Sequence, residues 1–188
     1  MKGFGKEEKT NKKKYKSKDN NLTKDEILNK AFNLHKRNQI NKAEKYYQLF
    51  LDKGFTDERV YSNYGVICEE KENYAKAIIL YKKAINNSKI NPAILTNLGN
   101  VLRKDNKTAE AEEYYRKAIE IKPEYFEANA NLGSILIDGK KYEEANIFTK
   151  KAIKLNPNFA KGYTNLGNIQ KERGNLNESY LLHLKAIK

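Results

Sequence analysis

Residues 92–125 read PAILTNLGNVLRKDNKTAEAEEYYRKAIEIKPEY, and their spacing of large and small apolar residues recurs on both sides at an interval of 34. Leu95, Leu98, Gly99 and Leu102 open a helical pattern, Ala111, Tyr115 and Ala118 continue it, and Pro123 closes it. Stepping by 34 sets repeats at Lys24, Glu58, Pro92, Phe126 and Ala160 with no insertion or deletion. The eighth position reads Ala31, Gly65, Gly99, Gly133, Gly167, and the twentieth Ala43, Ala77, Ala111, Ala145, Ser179. The twenty-seventh reads Phe50, Ala84, Ala118, Ala152, Ala186. Small residues in register let paired helices approach closely while Leu98, Leu102 and Tyr115 fill the gaps between them.

The pattern Leu95, Leu98-Gly99, Leu102, Ala111, Tyr115, Pro123 resembles the tetratricopeptide consensus of Trp-x2-Leu-Gly-x2-Tyr, Ala-x3-Phe and Pro. Leu95 stands in place of Trp, and Leu102 in place of Tyr. The resemblance covers roughly 165 of the 188 residues. It implies an all-α, right-handed superhelix (an α-α solenoid) of five helix-turn-helix repeats, the last truncated. The first repeat departs most, with Lys30, Phe50 and Phe55 at its seventh, twenty-seventh and closing positions.

Two segments are expected: a basic, disordered tail over residues 1–22 and the repeat array over 23–188. The first twenty residues carry eight lysines against Glu7, Glu8 and Asp19, and their only large apolar residues are Phe4 and Tyr15. That is too little apolar surface to offset the entropy of ordering. Order is expected to begin at Thr23, where Thr23-Lys24-Asp25-Glu26 has the form of a capping box. The first repeat should place one helix up to Arg37, a turn over Asn38 to Asn41, and a second helix from Lys42 to Lys53. Asn91-Pro92 forms a helix start, and Gly139 and Gly174 are expected to relax turns within their repeats.

With one cysteine and two histidines, the chain has no disulfide framework and no zinc-like spacing, so no metal and no cofactor are expected. Cys68 and His183 fall at packing positions, and His35 reads as a surface residue. The glycines form no phosphate loop, so no catalysis is expected within these residues. The longest apolar run, Ala77 to Tyr81, is too short to span a bilayer, and the lysine-rich start lacks a signal-like stretch. A cytoplasmic location and no membrane insertion follow as expectations.

The sixth position is asparagine in all five repeats, at Asn29, Asn63, Asn97, Asn131 and Asn165, and the ninth adds Asn100 and Asn168. Asparagine is a mediocre helix former, so its recurrence needs a reason. Either the amides bridge neighbouring helices, or they form a ladder offering a donor and an acceptor to each successive stretch of an extended peptide. The second arrangement resembles the asparagine ladder of protein O-GlcNAc transferases. That resemblance implies a protein-interaction scaffold with a polypeptide held in its concave groove. The tail and first two repeats also resemble the amino-terminal arrays of bacterial transferases (glycosyl-, sulfo- or methyltransferases). The alternative they imply is a substrate-recruiting arm of a larger enzyme.

Another tetratricopeptide subfamily binds acidic carboxyl termini through a clamp of lysines, asparagines and an arginine. Here the overlay offers Asn100, Asn131 and Lys161, while Thr96 and Asn165 stand where two cations belong, which disfavours a chaperone adaptor. The net charge of +13 and the Lys12-Lys13-Lys14-Tyr15-Lys16 run leave weak nucleic-acid binding as a third, disfavoured reading. At the carboxyl end, Leu184 and Ile187 would leave an apolar edge. The expectation there is either that the chain is cut from something longer, or that a partner or a second copy covers the edge by association.

Overall fold

Thr23 opens the ordered chain by reciprocal capping: its N–H donates to Glu26 Oε2 at 2.8 Å, and Glu26 N–H donates to Thr23 Oγ1 at 3.3 Å. In this computed structural model, which describes residues 21–87 and 91–187, helices follow in pairs. They are α1 Lys24–Lys36, α2 Ile40–Asp52, α3 Glu58–Glu70, α4 Tyr74–Asn86 and α5 Pro92–Lys104. The series continues with α6 Thr108–Ile121, α7 Phe126–Asp138, α8 Tyr142–Leu155, α9 Ala160–Glu172 and α10 Leu176–Ile187. No strand occurs among the described residues. The expected tail of residues 1–22 lies, apart from its last two residues, outside the described residues.

The turn inside each repeat has one geometry. The fifteenth position adopts a left-handed backbone in all five: Asn38 (φ 56°), Glu72 (59°), Asn106 (61°), Lys140 (58°) and Gly174 (82°). Its N–H and that of the next residue return to the end of the preceding helix, as in Asn106 N–H to Arg103 O at 3.1 Å and Lys107 N–H to Leu102 O at 2.8 Å. Orphan carbonyls at the helix end are thereby satisfied. Gly174 has the role expected of it. Gly139 does not, because it caps α7 at φ −82° and Lys140 makes the left-handed step. The first turn is also shorter than its composition suggests. Gln39 occupies the N-cap and α2 begins at Ile40, so Ile40 and Asn41 are helical.

The chain divides into two compact units, Met1–Val60 and Tyr61–Lys188. In the first, Ile27, Ala31, Ala43, Tyr47 and Phe50 are buried between α1 and α2. Phe32 tilts against Tyr47, and Phe55 meets Phe50 edge-on at 5.4 Å.

In the second unit the small columns do what their size permits. The eighth-position glycines face the twenty-fourth-position side chains, so that a Cβ on Gly65 would fall 2.9 Å from Tyr81 and one on Gly99 2.5 Å from Tyr115. Ala77, Ala111 and Ala145 and also Ala84, Ala118 and Ala152 are wholly buried. Leu95, Ala118 and Ala128 form one cluster that joins the repeat starting at Pro92 to the next, with Tyr125 packed against it. Ion pairs tie successive repeats at the same end of the first helices: Lys104 to Glu69 and Arg103 to Asp138, each 2.8 Å.

Candidate functional site

The asparagine column is carried on the first helix of each repeat, and its members do not share one environment. Asn29 is exposed in the first unit. In the second unit Asn63, Asn97, Asn100 and Asn168 are half-buried, whereas Asn131 and Asn165 are buried.

Two members of the column bond between helices. Asn131 Nδ2 donates to Asn100 Oδ1 at 2.8 Å, joining α7 to α5, and Asn165 Nδ2 donates to the Ala130 carbonyl at 3.0 Å, joining α9 to α7. Both reach back by one repeat, the geometry expected where stacked first helices present the same face to their neighbours. Among the described residues, the side chains of Asn63, Asn97 and Asn168 have no hydrogen-bond partner.

Around Asn131 the contacts form a chain of four side chains from four helices. Tyr115 O–H, on α6, donates to the same Asn100 Oδ1 at 2.8 Å, and Lys161 Nζ, on α9, donates to Asn131 Oδ1. Asn131 therefore uses both ends of its amide within the protein. Tyr115, read from the sequence as packing alone, has its ring wholly buried and its hydroxyl engaged.

Lys161 ends this chain half-buried, with no carboxylate in salt-bridge reach among the described residues. Burial pushes its ammonium below the ordinary lysine range, the positive charge of Arg103 pushes it further, and Asp138 opposes both. Arg103 itself is held by Asp138. The site thus gathers two cations against one anion in partly dry surroundings, where a further carboxylate would be favoured.

The clamp overlay is reproduced in part. Asn100, Asn131 and Lys161 are contiguous, but Thr96 turns back, its Oγ1 donating to the Pro92 carbonyl at 2.9 Å. Arg103, which the sequence pattern did not single out, supplies the nearby second cation.

His35 is not the surface residue expected. It is half-buried, with its Nδ1 3.0 Å from Tyr47 O–H. Cys68 is buried at the packing position assigned to it, and His183 packs over Gly167. Among the described residues there is no group of three or more potential metal-binding side chains, and no helix is long and apolar enough to cross a membrane.

No curated protein matches the chain. Solved structures do. MamA residues 41 to the end, from Desulfovibrio magneticus RS-1, superposes with a TM-score of 0.78 at 16% identity, covering 87% of this chain and 93% of that one. YrrB, described as a TPR protein with an unusual peptide-binding site, gives 0.72 at 24% identity, covering 86% and 83%. A tetratricopeptide repeat protein from Parabacteroides merdae ATCC 43184 gives 0.77 at 22%, covering 87% and 65%. Family models described as tetratricopeptide repeat match residues 58–91, 92–125, 126–159 and 148–180. The first three intervals begin on the phase read from Pro92, and together the matches span well over half the sequence. With the paired helices and their small-residue columns, they make the chain a member of the tetratricopeptide repeat family.

Proposed function

We propose that the chain is a non-catalytic binding module whose second unit, Tyr61–Lys188, holds an extended polypeptide along the first helices of its repeats. Asn63, Asn97 and Asn168 supply amide contacts to the peptide backbone, and Lys161 receives a carboxylate of the ligand. Asn131 and Asn165 hold the helices in register. The observation that carries this reading is the half-buried Lys161 ammonium at the end of the Tyr115, Asn100, Asn131 chain, which has donors to spare and no carboxylate in salt-bridge reach among the described residues. The net charge of +13 favours an acidic partner over a basic one. YrrB, which shares the fold, is described as having a peptide-binding site, which supports the same class of ligand.

The test is fluorescence anisotropy with labelled extended peptides that differ only in whether they carry aspartate and glutamate. Lys161→Met should weaken the acidic peptides by about tenfold and leave neutral ones unchanged, as loss of one charge-assisted bond requires. Asn97→Ala should weaken both sets alike. Equal binding of acidic and neutral peptides by the parent chain would refute the role of Lys161. Absence of binding to either set would refute the module.

A further inference from the structure

Helix α10 carries an exposed apolar face, to which Tyr180 and Leu184 add residues at positions that are mostly polar in the other repeats. Leu176, Tyr180, Leu181, Leu184 and Ile187 lie along one side of it and are exposed, from 40% at Leu184 to 83% at Ile187. Spacings of four, four and three residues from Leu176 through Tyr180 and Leu184 to Ile187 make a stripe, which Leu181 widens.

The register shows what is unusual. The position of Leu184 is Lys150, Arg116, Lys82 and Gln48 in the other repeats, and that of Tyr180 is Asn146, Glu112, Ile78 and Glu44. Lys150 and Lys82 are exposed. Leu184 is therefore apolar at a position that carries a charged or amide side chain in the other four repeats, exposed at Lys82 and Lys150 and half-buried at Gln48 and Arg116.

We propose that this face binds the same face of a second copy of the chain. Two quantities select that occupant. The five side chains expose on the order of 650 Å², so a two-fold pairing would bury about 1,300 Å², inside the range of specific interfaces. The helix also carries one acid, Glu178, against one base, Lys185, within a chain of net charge +13. Two such chains repel one another, and a neutral, apolar helix is where they can meet with least like-charge contact. A two-fold pairing needs no other partner, because the patch is complementary to itself. The inference does not depend on the peptide-binding reading.

Sedimentation equilibrium on the 188-residue chain tests it. A dimer is expected in the micromolar range, and it should tighten as salt screens the repulsion between copies. Leu184→Lys installs the residue type that Lys82 and Lys150 already show to be compatible with this register. Combined with Leu181→Lys it should weaken the dimer by about tenfold or more, while Ile79→Lys, at an exposed apolar residue of α4, should not. A chain that stays monomeric at all concentrations overturns the proposal, as it would if another protein or a further helix is the occupant. A dimer that loosens with added salt, or that responds equally to the α10 and α4 variants, overturns it as well.

Discussion

Asn131 on α7 donates to Asn100 on α5 across 31 residues of sequence, at 2.8 Å. The bond turns a repeated residue type into a strut between successive repeats. Its partner Asn100 also accepts from Tyr115, and Lys161 donates to Asn131, so removing the Asn131 amide takes a donor from Asn100 and an acceptor from Lys161, on two other helices.

Asn131→Ala should therefore lower stability by about 1–3 kcal/mol, the usual effect of losing two hydrogen bonds in partly buried surroundings. Asn97→Ala, at a half-buried amide without a side-chain partner among the described residues, should stay within about 0.5 kcal/mol of the parent. Urea unfolding followed by circular dichroism checks both. Equal losses at the two sites would mean that the Asn131 bonds contribute nothing.

Gly99 faces the Tyr115 ring so closely that an added Cβ would stand 2.5 Å from Cε1, and the ring is enclosed. Gly99→Ala should cost about 1–3 kcal/mol through overpacking. Gly139→Ala is the contrast. Its Cβ would meet only the Ile135 and Leu136 carbonyls, at 3.5 Å and 3.7 Å, with φ at −82°. It should be neutral or stabilising by up to about 1 kcal/mol, because it restricts the unfolded chain. Thermal melts of the pair would separate the column position from the turn position.

Thr149 occupies the position of Tyr47, Tyr81 and Tyr115, is wholly buried, and leaves its hydroxyl without a partner among the described residues. Thr149→Val keeps the shape and removes the orphan group. It should raise stability by about 1 kcal/mol, read as an increased urea midpoint at unchanged slope. A lower midpoint would show that the hydroxyl is satisfied.

The left-handed turn position holds Glu72 and Lys140, residues that pay a steric cost there which glycine does not. Lys140→Gly should stabilise by about 0.5–1 kcal/mol, since the steric relief exceeds the entropy that glycine adds to the unfolded chain. Differential scanning calorimetry would detect the gain, and a loss would point to contacts of the Lys140 side chain.

The same turns mark where sequence reading stops. The columns of Gly99, Ala111 and Ala118 were legible because burial repeats every 34 residues and demands small side chains at fixed places. The left-handed position repeats just as strictly in the backbone, yet beside Asn38, Asn106 and Gly174, which suit it, it holds Glu72 and Lys140, which do not. A backbone demand met by helix-end hydrogen bonds leaves only a partial imprint on residue type, so Gly139 drew the role that Lys140 has. The asparagine column was visible for the opposite reason, since one residue type recurs. Which amides turn to a neighbouring helix depends on interhelical rotation, and no single-chain pattern contains that. The contact of His35 with Tyr47 was hidden in the same way.

Buried tyrosines should set the alkaline limit of the fold. Tyr81 is wholly buried and its O–H donates to Glu69 Oε2 at 3.2 Å. Burial, and then the negative charge and hydrogen bond of Glu69, push its pKa well above the ordinary value. Burial also raises that of Tyr115, against the opposing charge of Arg103. An unfolded tyrosine ionises near pH 10 or so. Below that, both states keep the proton and stability is independent of these groups. Above it, the unfolded chain releases protons that the folded chain retains, so stability falls as pH rises. Tyrosinate absorbance should therefore increase in two stages, the second, from the buried rings Tyr81 and Tyr115, together with the loss of helical circular dichroism. Tyr81→Phe should move the second stage to higher pH. A single absorbance step with helicity intact throughout would mean that Tyr81 and Tyr115 are open to solvent.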